Sequence, residues 1–201
     1  MPKTFSDAER VHIKKRLMEE AEACLSQYGI RKTSVDELVK RVNIPKGTFY
    51  LFYPSKEMLF FEVFNALHDK IQTDLLRRLD GLRNNVNVES VSDLIFQFYK
   101  QVDSTFMYSF MASGELDLLI RKLPPEITEA HLHKDDFNME QLLSLLPGKH
   151  RDDIVKLFSA ALRAIFLMMS HRREIGEDIF DETIRLMLRG VITILFEEDM
   201  M

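Results

Sequence analysis

Apolar side chains recur along most of this chain at steps of three and four residues, and no segment shows sustained apolar–polar alternation between turn residues. Ile13, Leu17, Ala21, Cys24, Leu25 and Tyr28 form the first such stripe. Ser6 stands three residues ahead of Glu9, the spacing at which a hydroxyl and a carboxylate satisfy free N–H groups at a helix start reciprocally. Gly29 follows as a left-handed stop. The pattern predicts a helix over 6–28. A second helix starts at Ser34, with Glu37 as capping partner and Leu38, Val39 and Val42 as its apolar face. Asn43, which tolerates positive φ, and Pro45 end it, and Pro45 can open the next. A third, short helix lies within 46–52, because Pro54 closes it. Ser55 then caps a long helix through Met58, Leu59, Phe61, Val63, Phe64, Leu67 and Ile71 to about Leu79. Residues 81–87 (GLRNNVN) read as a loop. Further helices fall at about 89–105, 106–122, 126–146 (with a break near 131–136), 150–174 and 177–198, parted at Pro124, Pro125, Pro147, Gly148 and Gly176. The fold class is all-α: an N-terminal three-helix head joined by a long helix to a C-terminal helical bundle.

Composition narrows the functional classes. The 201 residues hold 46% hydrophobic and 29% charged side chains, a globular balance. One cysteine, Cys24, excludes an internal disulfide framework, and its place on the first stripe points to an inert core thiol. The N-terminus is polar and passes straight into an amphipathic segment, and the apolar run at 160–170 is interrupted by Arg163, so a soluble cytoplasmic protein with no membrane association is expected. The net charge of −5 argues against nucleic acid until the chain is divided. Residues 1–56 carry 11 Lys and Arg against 7 Asp and Glu, while residues 57–201 carry 16 against 25. A basic head on an acidic body suits a protein that touches DNA with one end.

The segment TSVDELVKRVNIPKGTFYLFYPSK, residues 33–56, has the parts of a helix-turn-helix: a short helix, a tight turn, and a second helix whose first residues reach base edges in the major groove. Leu38 and Val42 would pack the first of these inward, leaving Lys40 and Arg41 outside. Lys46 offers a cation to a phosphate or a guanine edge. Gly47 lets the backbone approach the DNA. Thr48 combines a hydroxyl with a methyl suited to a thymine methyl. Tyr50 and Lys56 are placed for phosphates, as are the hydroxyls of Thr33 and Ser34 at the other end of the unit. Phe49 and Tyr53 are expected in the core, locking the reading helix.

The run from Thr33 to Lys56, with Glu57, Met58 and Leu59 after it, resembles the TetR/AcrR family of regulators. In that family a Thr-Thr or Thr-Ser pair opens the second helix. A Lys-Gly-Thr segment opens the third, and aromatics and Pro-Ser-Lys-Glu follow. The likeness covers residues 6 to about 60; beyond them only length and helical pattern agree. Three positions depart from the usual pattern: Asn43 replaces the turn glycine, Phe52 a frequent His, and Pro45 a capping Ser. The resemblance implies a DNA-binding domain at 1–56 and a ligand-sensing, dimerising domain at 57–201. It also implies a homodimer reading a palindromic operator on double-stranded DNA, more naturally a repressor than an activator, and released by a small-molecule effector that resets the spacing of the two heads.

In the body, the last two long helices carry more apolar surface than one helix face needs, and they are the expected dimer interface. Ile154, Leu157, Phe158, Ala161, Leu162, Ile165, Met168, Ile184, Met187, Leu188, Val191, Ile192 and Leu195 are its candidate positions. Residues 96–111 are crowded with aromatics and Met, which suit either an adaptable apolar pocket or an ordinary core. As a pocket it would hold a hydrophobic effector near Phe106, Phe110, Phe166 and Met169. His131, His133 and Asp135 do not converge as metal ligands, since residues two apart on a helix point different ways. No phosphate loop, nucleophile elbow or HExxH occurs, so neither catalysis nor a cofactor is expected. The reading that competes with a DNA-binding regulator is a helical protein-interaction module.

Overall fold

A computed structural model describes residues 5–82, 85–146 and 152–197, apart from the side chains of Met111 and residues 132–139. The described residues contain helices and turns and no strand. In order these are α1 (Asp7–Lys32), α2 (Val35–Val42), α3 (Lys46–Phe49), α4 (Lys56–Leu82), α5 (Val88–Asp103), α6 (Phe106–Ala112), α7 (Glu115–Ile120), α8 (Pro125–Ser144), α9 (Asp152–Met168), α10 (Arg172–Ile175) and α11 (Phe180–Glu197). The all-α expectation holds.

The chain divides into two compact units, one comprising residues through His68 together with Gly114–Leu123, the other Asp69–Ser113 and the chain from Pro124 on. The division falls inside α4, not at residue 56, and the first unit takes in α7, which sequence proximity assigned to the body.

The first unit is built on α1. Ser6 accepts from the Glu9 N–H at 3.3 Å and Glu9 accepts from the Ser6 N–H at 2.8 Å, so the predicted capping box forms. Ile13, Leu17, Ala21, Cys24 and Leu25 are buried as the stripe requires, and Leu38, Phe49, Tyr53, Leu59 and Phe60 complete this core. Tyr28 leaves the stripe: it is exposed, with the Arg41 guanidinium 5.8 Å from its ring centre. Gly29 breaks the helix, at φ 73° and ψ −179°, a backbone region open essentially to glycine alone rather than the left-handed helical stop expected.

In the second unit α5 and α11 pack side by side, with α9 against α11 and α6 beside the 3₁₀ turn Met169–His171. Phe180, Ile184, Leu188, Ile192 and Leu195 place one buried stripe of α11 into a core shared with Ile95 and Phe96 of α5 and with Phe158, Leu162 and Ile165 of α9. Many of the nominated interface positions therefore fill their own subunit's core. Tyr99 Oη donates to the Leu162 carbonyl at 2.8 Å, and burial holds its phenol above the ordinary value. Ion pairs lie outside this core: Lys100–Asp181 at 2.9 Å, Arg172–Asp103 at 2.9 Å and Arg185–Asp93 at 2.7 Å. The Arg185 guanidinium also stacks 3.7 Å from the centre of Phe96.

Several boundaries differ from the sequence expectation for local reasons. Helix α4 runs on through Gly81 and Leu82. The stretch predicted as one helix over 106–122 is two, because Gly114 adopts φ 68° and starts α7 anew. Helix α8 continues without the expected break near 131–136. By length and composition the run Asp152–Ile175 is apolar enough to cross a membrane, more than the interrupted segment at 160–170 suggested. It is interrupted by the 3₁₀ turn, and Phe158, Leu162 and Ile165 lie in the core.

Candidate nucleic-acid interface

Helices α2 and α3 and the turn between them form the candidate site, all within the first unit. Ser34 caps α2 by accepting from the Glu37 N–H at 3.2 Å. The reciprocal half of the expected box is absent: Glu37 instead takes the Arg41 Nε at 2.7 Å, one helical turn on. Leu38 and Val39 are buried and Val42 half-buried, so the inward face is rotated slightly from the Leu38–Val42 line. Arg41 is half-buried between Glu37 and Glu20, whereas Lys40 is exposed. Asn43 closes α2 at φ 59° and ψ 50°, the left-handed conformation predicted for it, with its N–H directed to the Lys40 carbonyl at 3.3 Å. Pro45 precedes α3 without a side-chain cap bond, as its ring dictates.

The short helix α3 is anchored from below. Phe49 is fully buried, and its ring meets Tyr50 edge-on at 5.3 Å and Tyr53 at 6.0 Å. Tyr53 is buried as expected, and burial raises its phenol. Phe52 is half-buried beneath the Arg10 guanidinium, 5.2 Å from its centre.

The outward face consists of Lys46, Gly47, Tyr50 and Leu51. Lys46 Nζ lies 2.9 and 3.0 Å from the two carboxylate oxygens of Asp36, a hydrogen-bonded pair that raises the lysine above its usual value. Both partners are more than half exposed, so the pair adds little stability. A Cβ on Gly47 would meet nothing within 4 Å, so packing inside the protein does not require glycine there. Tyr50 is 51% exposed and Leu51 56%. Ser34 is also outside, and its hydroxyl, though it caps α2 as an acceptor, keeps a proton to donate.

Three nominated residues sit elsewhere. Thr48 is buried beside Phe49 rather than on the outer face. Thr33 is 1% exposed, and its hydroxyl donates to the Gly29 carbonyl at 2.8 Å. Lys56 donates to the carbonyls of Ile30 at 3.1 Å and Thr33 at 2.7 Å, and burial lowers its ammonium. Both Thr33 and Lys56 close the end of α1, where the Gly29 break frees backbone groups. Glu115 completes this closure: its Oε2 accepts from the Ile30 N–H at 2.7 Å. Beside it Lys122 pairs with Glu57 at 3.1 Å. Nothing in the local pattern announced Glu115, which lies 85 residues from its partner. Asp36 stood in plain view in the first turn of α2, but only the fold brings it to Lys46.

The candidate effector residues lie in the second unit. Phe106 and Phe110 are buried and meet edge-on at 5.1 Å. Met169 is buried in the main core, and Phe166 packs against it, 5.6 Å from the ring of Tyr99. Helix α6 runs alongside the turn that carries Met169, so the structure makes neighbours of these two elements. Cys24 is buried, and burial raises its thiol. The side chains of His133 and Asp135, weighed with His131 as metal ligands and set aside, lie outside the described residues.

Residues 17–63 match the family described as bacterial regulatory proteins, tetR family. The chain is 40% identical over 62 residues to the uncharacterized HTH-type transcriptional regulator YuxN of Bacillus subtilis, a match covering 31% of this chain and only 21% of YuxN. It is 22% identical over 169 residues to IcaR of Staphylococcus epidermidis, the negative transcriptional regulator of the biofilm operon icaADBC, covering 82% of this chain and 88% of IcaR. Among solved structures it is similar in fold to the TetR-family repressor FadR of Thermus thermophilus, in complex with lauroyl-CoA, with a TM-score of 0.59, 16% identity and coverage of 92% and 93%. The head, over residues 17–63, thus matches the tetR family of bacterial regulatory proteins, and the chain as a whole shares the fold of FadR.

Proposed function

We propose that this protein is a cytoplasmic transcriptional repressor that binds a palindromic operator as a homodimer and leaves it when a small hydrophobic effector is bound. The observation that carries this reading is the outward face of α3. A cation, a bare glycine backbone and an exposed tyrosine stand together at its start, on a helix fixed from beneath by Phe49. Lys46, Tyr50 and Ser34 would hold phosphates or base edges, and Gly47 would let the backbone close on the duplex. Thr48, Thr33 and Lys56 would act by shaping the unit, not by touching DNA. The repressor assignment follows the negative role in IcaR's name.

Dimerisation is supported by what the core leaves uncovered. Leu157, Ala160, Ala164 and Leu167 form an exposed stripe on α9, and Leu186, Gly190 and Ile194 form one on α11. Leu157, Leu167, Leu186 and Ile194 are 59%, 64%, 74% and 48% exposed, more than a solvent-facing bundle gains from leaving out. Small residues between the leucines allow helices of two copies to approach closely. The effector would be taken up near Phe106, Phe110, Phe166 and Met169. The acyl ligand of FadR gives the class to try first. It would act by favouring a protein state with lower operator affinity.

The test is a binding titration of the full chain against duplexes it selects from a random library, repeated over a range of salt. The affinity falls steeply with salt as phosphate counterions are displaced. Lys46→Ala and Tyr50→Ala each weaken binding several-fold while the thermal unfolding of the protein stays as it was. Full affinity in both variants would mean that another element reads the DNA. A thermal-shift screen with acyl chains and aromatic compounds that returns no stabilising ligand would remove the hydrophobic effector.

A further inference from the structure

We infer that Leu51 is a specificity-determining residue that reads the 5-methyl group of thymine in the major groove; this rests on the DNA-binding function proposed above. The argument begins with what the reading helix lacks. Residues 44–56 contain no Arg, Asn or Gln, the side chains that pair with guanine or adenine through two hydrogen bonds at once. The one residue of α3 with a hydroxyl and methyl suited to a base edge, Thr48, is turned into the core. Hydrogen-bond reading is left to the Lys46 ammonium, which Asp36 already holds at both carboxylate oxygens, and to the tip of Tyr50. A face so poor in donors and acceptors discriminates bases through apolar contact, and in the major groove the apolar mark is the thymine methyl.

Leu51 is placed to make that contact. Its N–H bonds to the Thr48 carbonyl at 3.1 Å, and Phe52 and Tyr53 both bond to the Phe49 carbonyl, so the helical turn continues past the end of α3. Leu51 therefore stands one turn beyond Gly47, and a helical side chain leans back over the turn before it. The space over Gly47 is open, since an added Cβ there has no neighbour within 4 Å, so a base edge can enter beside Leu51. Tyr50 lies beside it, half exposed. A single exposed leucine is ordinary on a protein surface. This one shares a face with the cation, the glycine and the tyrosine, while Phe49 two positions before is wholly buried. Val11, on another helix, is more exposed still and has no such company.

The experiment uses the full-length protein and its library-selected duplex, with thymines replaced one at a time by deoxyuridine, which removes only the methyl group. Wild-type protein loses about four-fold in affinity at one or more thymines in each half-site, the worth of one buried methyl group. Leu51→Ala binds the unmodified duplex more weakly by a similar factor and is indifferent to deoxyuridine at those positions. The substitution removes an exposed side chain, and the deoxyuridine series on wild-type protein needs no variant. If no thymine responds, the inference fails and the DNA-binding function stands. If deoxyuridine weakens wild type and Leu51→Ala equally, another residue reads the methyl and the inference fails. If the protein binds no duplex at low salt, both fall.

Discussion

The two compact units are held together by different means. In the first, backbone groups are matched one by one to particular side chains. Ser6 and Ser34 cap helices, Asn43 takes a left-handed turn, and Lys56, Thr33 and Glu115 close the end of α1 broken at Gly29. In the second, long helices bury leucine, isoleucine and phenylalanine in one shared core, and most charged pairs stay at its edge. The first arrangement tolerates few replacements, because each residue meets a geometric demand. The second asks chiefly for apolar volume, which several side chains supply equally well. Under the proposed function the contrast has a purpose: a head that reads DNA must hold its groups to a fraction of an ångström, whereas a ligand-taking body profits from a core that can be rebuilt.

That contrast can be broken by mutation. The largest effect belongs to Leu188→Ala, which empties a fully buried site and costs about 3 kcal/mol in urea unfolding, whereas Leu188→Met costs under about 1.5 kcal/mol. Equal losses would show a body as exacting as the head. Next is Gly29→Ala, which combines positive φ with a Cβ 2.6 Å from the Glu115 carboxylate and costs about 2 kcal/mol. Part of that cost is relieved in the double variant with Glu115→Ala, so the two changes sum to less than their separate losses. Strict additivity would detach Glu115 from the break.

Smaller effects sharpen the picture. Burial holds the Tyr99 phenol above its ordinary 10.0, so the folded state keeps its proton longer than the unfolded one. The resulting stability is complete below pH 10 and is lost as pH rises from there toward the folded value. Tyr53 adds in the same sense. The melting temperature therefore drops in alkali. Tyr99→Phe flattens the drop while losing about 1 kcal/mol at neutral pH with the bond to Leu162; an unchanged alkaline slope would exonerate Tyr99. Least in stability is Gly47→Ala, neutral or stabilising by about 0.5 kcal/mol because nothing crowds the new methyl. Its effect is on operator binding, which falls. A variant that is both stabler and fully active would mean that the backbone never approaches the duplex.

Much of the head was legible in the residues alone because its structural devices are local. A Ser three residues before a Glu, an Asn before Ile-Pro, and a Lys-Gly-Thr after that proline each fix a nearby backbone conformation. Side-chain direction was less legible. Thr48 and Leu51 are close along the chain, and only packing decides that the threonine goes in and the leucine out. The roles of Thr33 and Lys56 depend on the carbonyls freed at Gly29, and the inclusion of α7 in the head depends on Glu115, far away in sequence. In the body, periodicity marked helices correctly but could not say which apolar face met its own chain. Leu162 and Leu157 read alike in the pattern, yet one is core and the other lies open.

The lone thiol of Cys24 is shielded from water within α1, and its ionisation is held back. Maleimide reagents, which attack the thiolate, find almost nothing to react with in the native protein. A fluorophore or spin probe can therefore be attached at Val11→Cys, away from the proposed dimer stripes, without first deleting the natural cysteine. Resonance transfer between labelled copies would then report association, and the separation of two Val11→Cys probes would report how ligands rearrange the assembly.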